Sequence, residues 1–548
     1  MSHKKPMGKR PATTPPPLPQ TSKPKRPSLW ARYQSRPWPY LLVFIFSFIF
    51  STLIYGDVFR RAAEANFISC DATQMKFLTD QSWGWLYCWS RWLLVAFKSL
   101  PLGALMLSLV MTAIVFMADR LLGLPRRWRG VTAVVPGLLY FWMLSLGLNL
   151  WYKEEPSLFV LIPVLTALLL LVATLICKFL LKRAASVPTD SKPWGTLVAV
   201  VVFVAVGLTA RLGHENDILT SRMQIKALQA DWEGIMADAA SASRPSRAVA
   251  AYNACALVQT DQLLERMFDL AYDYPEVSLK GHEGSEEYGL FLTDCNLYAG
   301  LTRVAYRCAM DHVVMNGPNV YMLKRMTLCA LINGEEALAN KYLDILAGQP
   351  FEGDFVEKYR PYVGHQDVIE ADPELSRIIA FKPETSHYEQ NYRSPAFLGY
   401  NLGLMSGTDA SLVTAIAACL YSKEVPKCLP HIQFYAQRHG GQLPICVQQA
   451  VAIMALTTPE VASAFADVVN NQQLSLQNFF AVAKPIIAER KAATDGKSGE
   501  ELDRLKVTYN ARLREALRDD WLGSYYYYYY CENNDPAQVT PAEKTGVN

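Results

Sequence analysis

The sequence predicts an all-α membrane protein: an N-terminal bundle of five transmembrane helices followed by a solenoid of α–α hairpins. Three observations lead there. The 548-residue chain is 51% hydrophobic and 19% charged, against roughly 25% charged in an ordinary soluble domain. Its charge divides sharply: residues 1–211 hold 24 Lys+Arg and 8 Asp+Glu, a net of +16, whereas 212–548 hold 29 and 42, a net of −13. Beyond residue 215, apolar residues recur at three- and four-residue steps, and alternating strand-like runs are nearly absent. A basic, apolar first part and an acidic second part describe an anchor in a lipid bilayer that carries a water-soluble domain. The split excludes a single soluble globule. It also argues against nucleic acid as a partner, because the acidic part repels phosphate.

Residues 1–37 carry nine Lys/Arg, no acid and a dense run of prolines, which predicts a disordered basic tail in the cytoplasm. Residues 38–212 form the predicted membrane domain, with apolar segments near 38–56, 99–118, 131–151, 157–177 and 194–210. Each is long enough to cross a hydrocarbon core of about 30 Å. Lys and Arg concentrate in the tail, in the 119–130 loop (Arg120, Arg126, Arg127, Arg129) and in the 178–193 loop (Lys178, Lys182, Arg183, Lys192). The 152–156 loop has one Lys against two Glu. By the positive-inside rule, five spans place the N-terminus in the cytoplasm and the C-terminal domain outside, in the periplasm of a cell with an inner membrane. No ionisable residue falls in the middle of a segment, which argues against transport. Trp83, Trp85, Tyr87, Trp89 and Trp92 precede the second segment and predict a helix lying in the headgroup layer.

The soluble domain is predicted over 213–532, and 533–548 is a polar tail. Apolar residues Ile225, Leu228, Trp232, Ile235, Met236 and Ala239 form one stripe, predicting one amphipathic helix over 222–240. Further helices fit 246–258, 261–272, 288–313, 319–332, 335–347, 354–362, 394–405, 409–421, 427–438, 444–456, 459–469, 475–489 and 499–521. The stretch 321–347, with Gly334 at the turn and Ala339 in the second helix, resembles the second half of a tetratricopeptide repeat. Thr327 stands where that repeat usually has a Gly, and no 34-residue period persists. The overall plan resembles uncharacterised multi-pass membrane proteins of Bacteroidetes-type bacteria that end in a helical repeat domain. The carrying residues are Ala251-Tyr252-Asn253-Ala254-Cys255-Ala256-Leu257 and Leu331-Ile332-Asn333-Gly334 through Tyr342-Leu343. The resemblance implies an inner-membrane location with a periplasmic domain, and no activity.

The residues name no reaction. There is no H-E-x-x-H, C-x-x-C, P-loop, G-x-S-x-G or G-x-G-x-x-G, so no metal site and no cofactor is expected. Cys70 with Cys88 and Cys419 with Cys428 are the best-placed disulfide pairs; most other cysteines read as buried thiols. The run Tyr525–Tyr530 suits closure of the last helical layer or docking on a partner. The expected function is a membrane-anchored binding protein, a scaffold or adaptor of an envelope process, whose solenoid groove holds a protein or peptide partner. Trp232, Tyr252, Asn253 and Tyr298 are the groove residues it offers. The alternative is a membrane enzyme acting on a lipid-linked substrate, of glycosyl-transferase type, with Asp57 after the first span as its catalytic carboxylate.

Overall fold

The computed structural model describes residues 38–124, 128–152, 154–180, 194–272, 289–382, 409–421, 423 and 425–532. The basic tail, the 533–548 tail, the 394–405 helix, and Arg126, Arg127, Lys182, Arg183 and Lys192 lie outside those residues. Among the described residues every regular element is a helix.

The membrane part differs from five simple spans. Three helices are long and apolar enough to cross a bilayer, Leu100–Leu122, Leu158–Cys177 and Trp194–Gly213, or four if a bent pair at the N-terminus counts as one. That pair begins with α1 (Trp38–Ile49), runs through a π-helical turn at Phe50–Ile54 and turns by 68° into α2 (Gly56–Ala65). A π turn is one of the few devices that bend a helix so sharply. The interfacial helix α3 (Gly84–Leu94) leads into α4 (Leu100–Leu122). The third expected span is broken: the apolar helix Val131–Leu146, which includes α5 (Val134–Leu146), stops at Gly147 and a short turn Asn149–Tyr152 follows. At about 1.5 Å per residue it falls short of a 30 Å core. Gly147 has φ +51°, and a Cβ there would lie 2.8 Å from the Asp217 carboxylate. The positive φ of this glycine ends the helix, and the nearby Asp217 leaves no room for a side chain there.

Next come α6 (Leu158–Leu180) and α7 (Trp194–Gly213). Helix α4 packs on α1 and α6, and α7 packs on α5 and α1. Phe46 stacks on Phe203 at 4.2 Å, holding α1 to α7. At one end of this bundle Asp119 accepts hydrogen bonds from Tyr40 (3.1 Å), the Gly130 amide (2.8 Å) and Thr132 (2.7 Å). Arg120, in the last turn of α4, and Arg129, in the turn that follows, make this end basic. The opposite end carries α2, α3, the 147–157 turn and the helical domain.

The single stripe expected over 222–240 is two helices, α8 (Glu215–Leu228) and α9 (Trp232–Ser241). The break falls where Ala230 takes φ +53° and the Asp231 side chain caps α9 by accepting from the Gly234 amide. An Asx cap competes successfully with continuation of the stripe. Then follow α10 (Arg247–Gln259), α11 (Leu292–Tyr298), α12 (Thr302–Asn316), α13 (Val320–Ile332) and α14 (Glu336–Ala347). The expected 288–313 helix is thus α11 plus α12, and only Leu263–Arg266 of the expected 261–272 helix is α-helical. Helices α13 and α14 form the anticipated hairpin, turning at Gly334 (φ +72°) over a fully buried Ala339.

The C-terminal layer contains α15 (Asp409–Tyr421), α16 (Val425–Arg438), α17 (Ile445–Ala455), α18 (Ala466–Thr494), α19 (Gly499–Trp521) and α20 (Tyr525–Cys531). The tyrosine run is α20. Tyr525, Tyr526, Tyr527 and Tyr528 are buried, against Phe268, Tyr272, Tyr421 and Phe479. The run is core.

Candidate functional site

Helix α2 lies where the membrane bundle meets the helical domain, packed on both α8 and α13. Nearly all of it is buried, so its charged side chains need internal partners. The Arg61 guanidinium is sandwiched between the Trp151 ring (4.0 Å) and the Tyr321 ring (3.8 Å), and its Nε donates to Gln224 at 2.8 Å. One turn on, Glu64 accepts from Lys98 at 2.9 Å; Lys98 also reaches Glu352 at 2.6 Å, and Lys324 bridges Glu352 (2.5 Å) and Glu64 (3.6 Å). Two carboxylates and two ammoniums therefore neutralise each other, drawn from α2, the start of the second span, α13 and the segment after α14.

Deeper in the domain Asp294 and Arg325, both 1% exposed, pair at 2.7 Å. Tyr252 donates to Asp294 at 2.6 Å, and Tyr321 donates to the same carboxylate. Burial, followed by the Asp294 charge, pushes the Tyr252 hydroxyl well above its usual range. Burial alone would lower Arg325, but the Asp294 carboxylate outweighs it and holds the guanidinium charged.

Beside this network a polar cleft of about 110 Å³ opens between the outer part of the bundle and the helical domain. Its walls include Arg91, Trp151, Tyr152, Glu155, His312 and Asn316. Arg91 forks onto Glu155 (2.8 and 2.7 Å) and donates to the Phe67 carbonyl at 3.0 Å. Such bidentate pairs fix geometry as well as charge. Ser157 also donates to Glu155 at 2.8 Å. His312 is 8% exposed, within 3.4 Å of the carboxamides of Asn316 and Asn319; burial and then the Arg61 charge pull its pKa down to about 4. The imidazole is neutral at physiological pH. Near the cleft, α3 exposes Trp85, Trp89 and Trp92, with Trp83 just before it.

The residues named from sequence sit elsewhere. Tyr252 and Tyr298 are fully buried and Asn253 is 5% exposed, so these three are core side chains rather than a groove. Tyr298 donates to the Ala227 carbonyl at 2.7 Å, and partly exposed Trp232 meets its ring edge-on at 4.8 Å. Asp57 accepts from Arg222 at 2.7 Å, and Arg222 also reaches Asp238 at 3.4 Å. Its carboxylate ties α2 to α8. Among the described residues the structure forms no disulfide: Cys70 is exposed and Cys88 half-buried, whereas Cys419 and Cys428 are buried and hydrogen-bonded to each other as thiols. Among the described residues no three His, Cys, Asp or Glu converge as a metal-holding group. Sequence reasoning missed the cleft because Arg91, Glu155 and His312 come from three distant segments. The one available signal was the acidic pair in the five-residue 152–156 loop.

A family described as "Family of unknown function (DUF6057)" matches residues 148–532. The chain belongs to this family. The DUF6057 match starts ahead of α6 and takes in both α6 and α7 as well as the helical domain. It also takes in Trp151, Glu155 and His312, whereas Arg61 and Arg91 precede it. No curated protein and no solved structure matches the chain.

Proposed function

We propose that the chain is a membrane-anchored binding protein, a scaffold or adaptor of an envelope process, which receives a protein or peptide partner at the cleft between bundle and helical domain. The four longer apolar segments anchor it in the inner membrane, together with the shorter helix Val131–Leu146 continued by the turn that follows it. These make five crossings, an odd number that keeps the tail in the cytoplasm and the helical domain on the other side. The helical domain, read as a tetratricopeptide-like solenoid, faces the periplasm, as the resemblance to the Bacteroidetes-type proteins implies. The charge of the loops supports that orientation: the basic 119–130 loop lies at one end of the bundle, and the acidic 152–156 turn lies with the helical domain at the other.

The observation that carries the binding reading is the state of the ionisable groups at the cleft. Arg91 and Glu155 satisfy each other and His312 is held neutral, so beside the Glu154 carboxylate the walls offer hydrogen bonds and aromatic faces, and no His is poised to share a proton with it. The volume suits one polar side chain of a partner rather than a whole small-molecule ligand, which commonly needs roughly 300 Å³ or more. The ion pair of Asp57 with Arg222 supports the binding reading over the enzyme alternative, because it gives that carboxylate a tie between α2 and α8. A photo-crosslinking amino acid at Gln81 or Asn316, on the cleft wall, should trap one partner in intact cells. The same probe at exposed Lys506 on α19 should not. Equal trapping at all three sites, or none, overturns the reading.

A further inference from the structure

We propose that Cys255 and Cys295 form a buried intramolecular disulfide in the mature protein, a covalent bond between α10 and α11. Their sulfurs lie 3.3 Å apart, both side chains are 1% exposed, and the two helices pack directly against each other. Forming the bond brings the sulfurs from that contact to the ~2.05 Å of a disulfide. Cys428 also hydrogen-bonds Cys419 across the α15–α16 hairpin, but the Cys255–Cys295 contact joins two helices more than thirty residues apart, so no local pattern in the sequence marks it.

The reaction removes two protons and two electrons from the two thiols as the S–S bond forms. The acceptor is a disulfide, either of a thiol–disulfide oxidoreductase or of glutathione, whose own S–S bond is cleaved and which leaves as two thiols. Burial pushes the Cys295 thiol well above its usual range, and the thiolate is the attacking form. The bond therefore forms while the domain is folding and resists reduction once packing is complete. Its place beside Asp294, the neighbour of Cys295 that pairs with Arg325, lets it hold α11 in register with the buried ion pair.

The proposal rests on the periplasmic placement above, so the test separates the two. Cells carrying the full-length protein are quenched in acid, free thiols are blocked with N-ethylmaleimide, and peptides are mapped by mass spectrometry without reduction. A linked Cys255–Cys295 peptide pair is the expected result. In parallel, exposed Cys70 is probed in intact cells with a membrane-impermeant maleimide. Free Cys255 and Cys295 with labelled Cys70 overturn the disulfide while the placement stands. If Cys70 is unlabelled, the placement falls, and the bond is tested in full-length protein synthesised into lipid nanodiscs in a glutathione redox buffer. Absence of the pair there overturns it as well. Cys255→Ala with Cys295→Ala should lower the unfolding midpoint on the order of 5–10 °C relative to the oxidised protein. An unchanged midpoint overturns the structural role.

Discussion

Arg61, on the helix that leaves the first membrane segment, rests its guanidinium 3.8 Å from the ring of Tyr321 in the helical domain. A cation stacked between two aromatic rings in a water-excluded site gains more than an exposed one. This contact, with Gln224 on Nε, makes α2 a shared element of bundle and domain. Replacing Arg61 by Lys keeps the charge but removes the planar group that stacks. Arg61→Lys should lower the thermal midpoint of the detergent-solubilised protein by several degrees. An unchanged midpoint would show that the stack contributes nothing.

The Glu64–Lys98–Glu352–Lys324 cluster predicts strong coupling. Glu352→Gln leaves Lys98 and Lys324 sharing one carboxylate in a nearly dry site and should cost about 3–5 kcal/mol. Lys98→Met combined with Glu352→Gln restores neutrality, so the double variant should cost less than the sum of the singles. Chemical unfolding of all three variants measures it. Additive costs would mean that the four groups do not act together.

His312 gives a pH dependence with a definite sign. Its folded-state pKa, about 4, lies below its ordinary value of 6.5. Protonation therefore favours the unfolded chain, and stability should fall as pH drops from about 6.5 towards 4, by up to roughly 3 kcal/mol. His312→Gln should flatten that window relative to the parent. The comparison is a urea midpoint measured at pH 7, 5.5 and 4.5; parallel curves for the two proteins would refute the assignment.

Asp57→Asn separates a structural tie from a catalytic carboxylate. The Asp57–Arg222 pair is about a quarter to a third exposed, so its loss should cost no more than about 1 kcal/mol. Complementation of a deletion strain should survive at matched protein level. Loss of function with normal abundance would revive an enzymatic role.

Particular residues show where the reading of the sequence reached and where it stopped. The second span, 99–118, was placed within a few residues, because an uninterrupted apolar run has one stable solution in lipid. The hairpin around Gly334 was also visible, since its turn and its small buried Ala339 are local features. The third span was misjudged. The helix there stops at Gly147, which takes φ +51°, and an apolar run read by hydropathy alone does not register that a glycine inside it will adopt a helix-ending conformation. Tyr252 and Tyr298 were assigned to a groove because an aromatic on a helix carries no sign of which face will be covered. Asp57 looked free because its partner, Arg222, belongs to another helix.

Composition and local period by themselves determined that this is a helical protein with a basic, apolar first part and an acidic second part. Burial of apolar surface and satisfaction of backbone hydrogen bonds act over one or two helical turns and leave a periodic trace. Only the tertiary structure decided that α2 turns away from the first segment to become the shared core of bundle and domain. The pairing of Lys98 with Glu352, of Asp294 with Arg325 and of Arg91 with Glu155 was decided there too. Each pair joins charges from segments far apart in the chain, and desolvation makes any one of them unfavourable without its partner. The partner's position depends on how whole helices pack, and that is not written in any single stretch of residues.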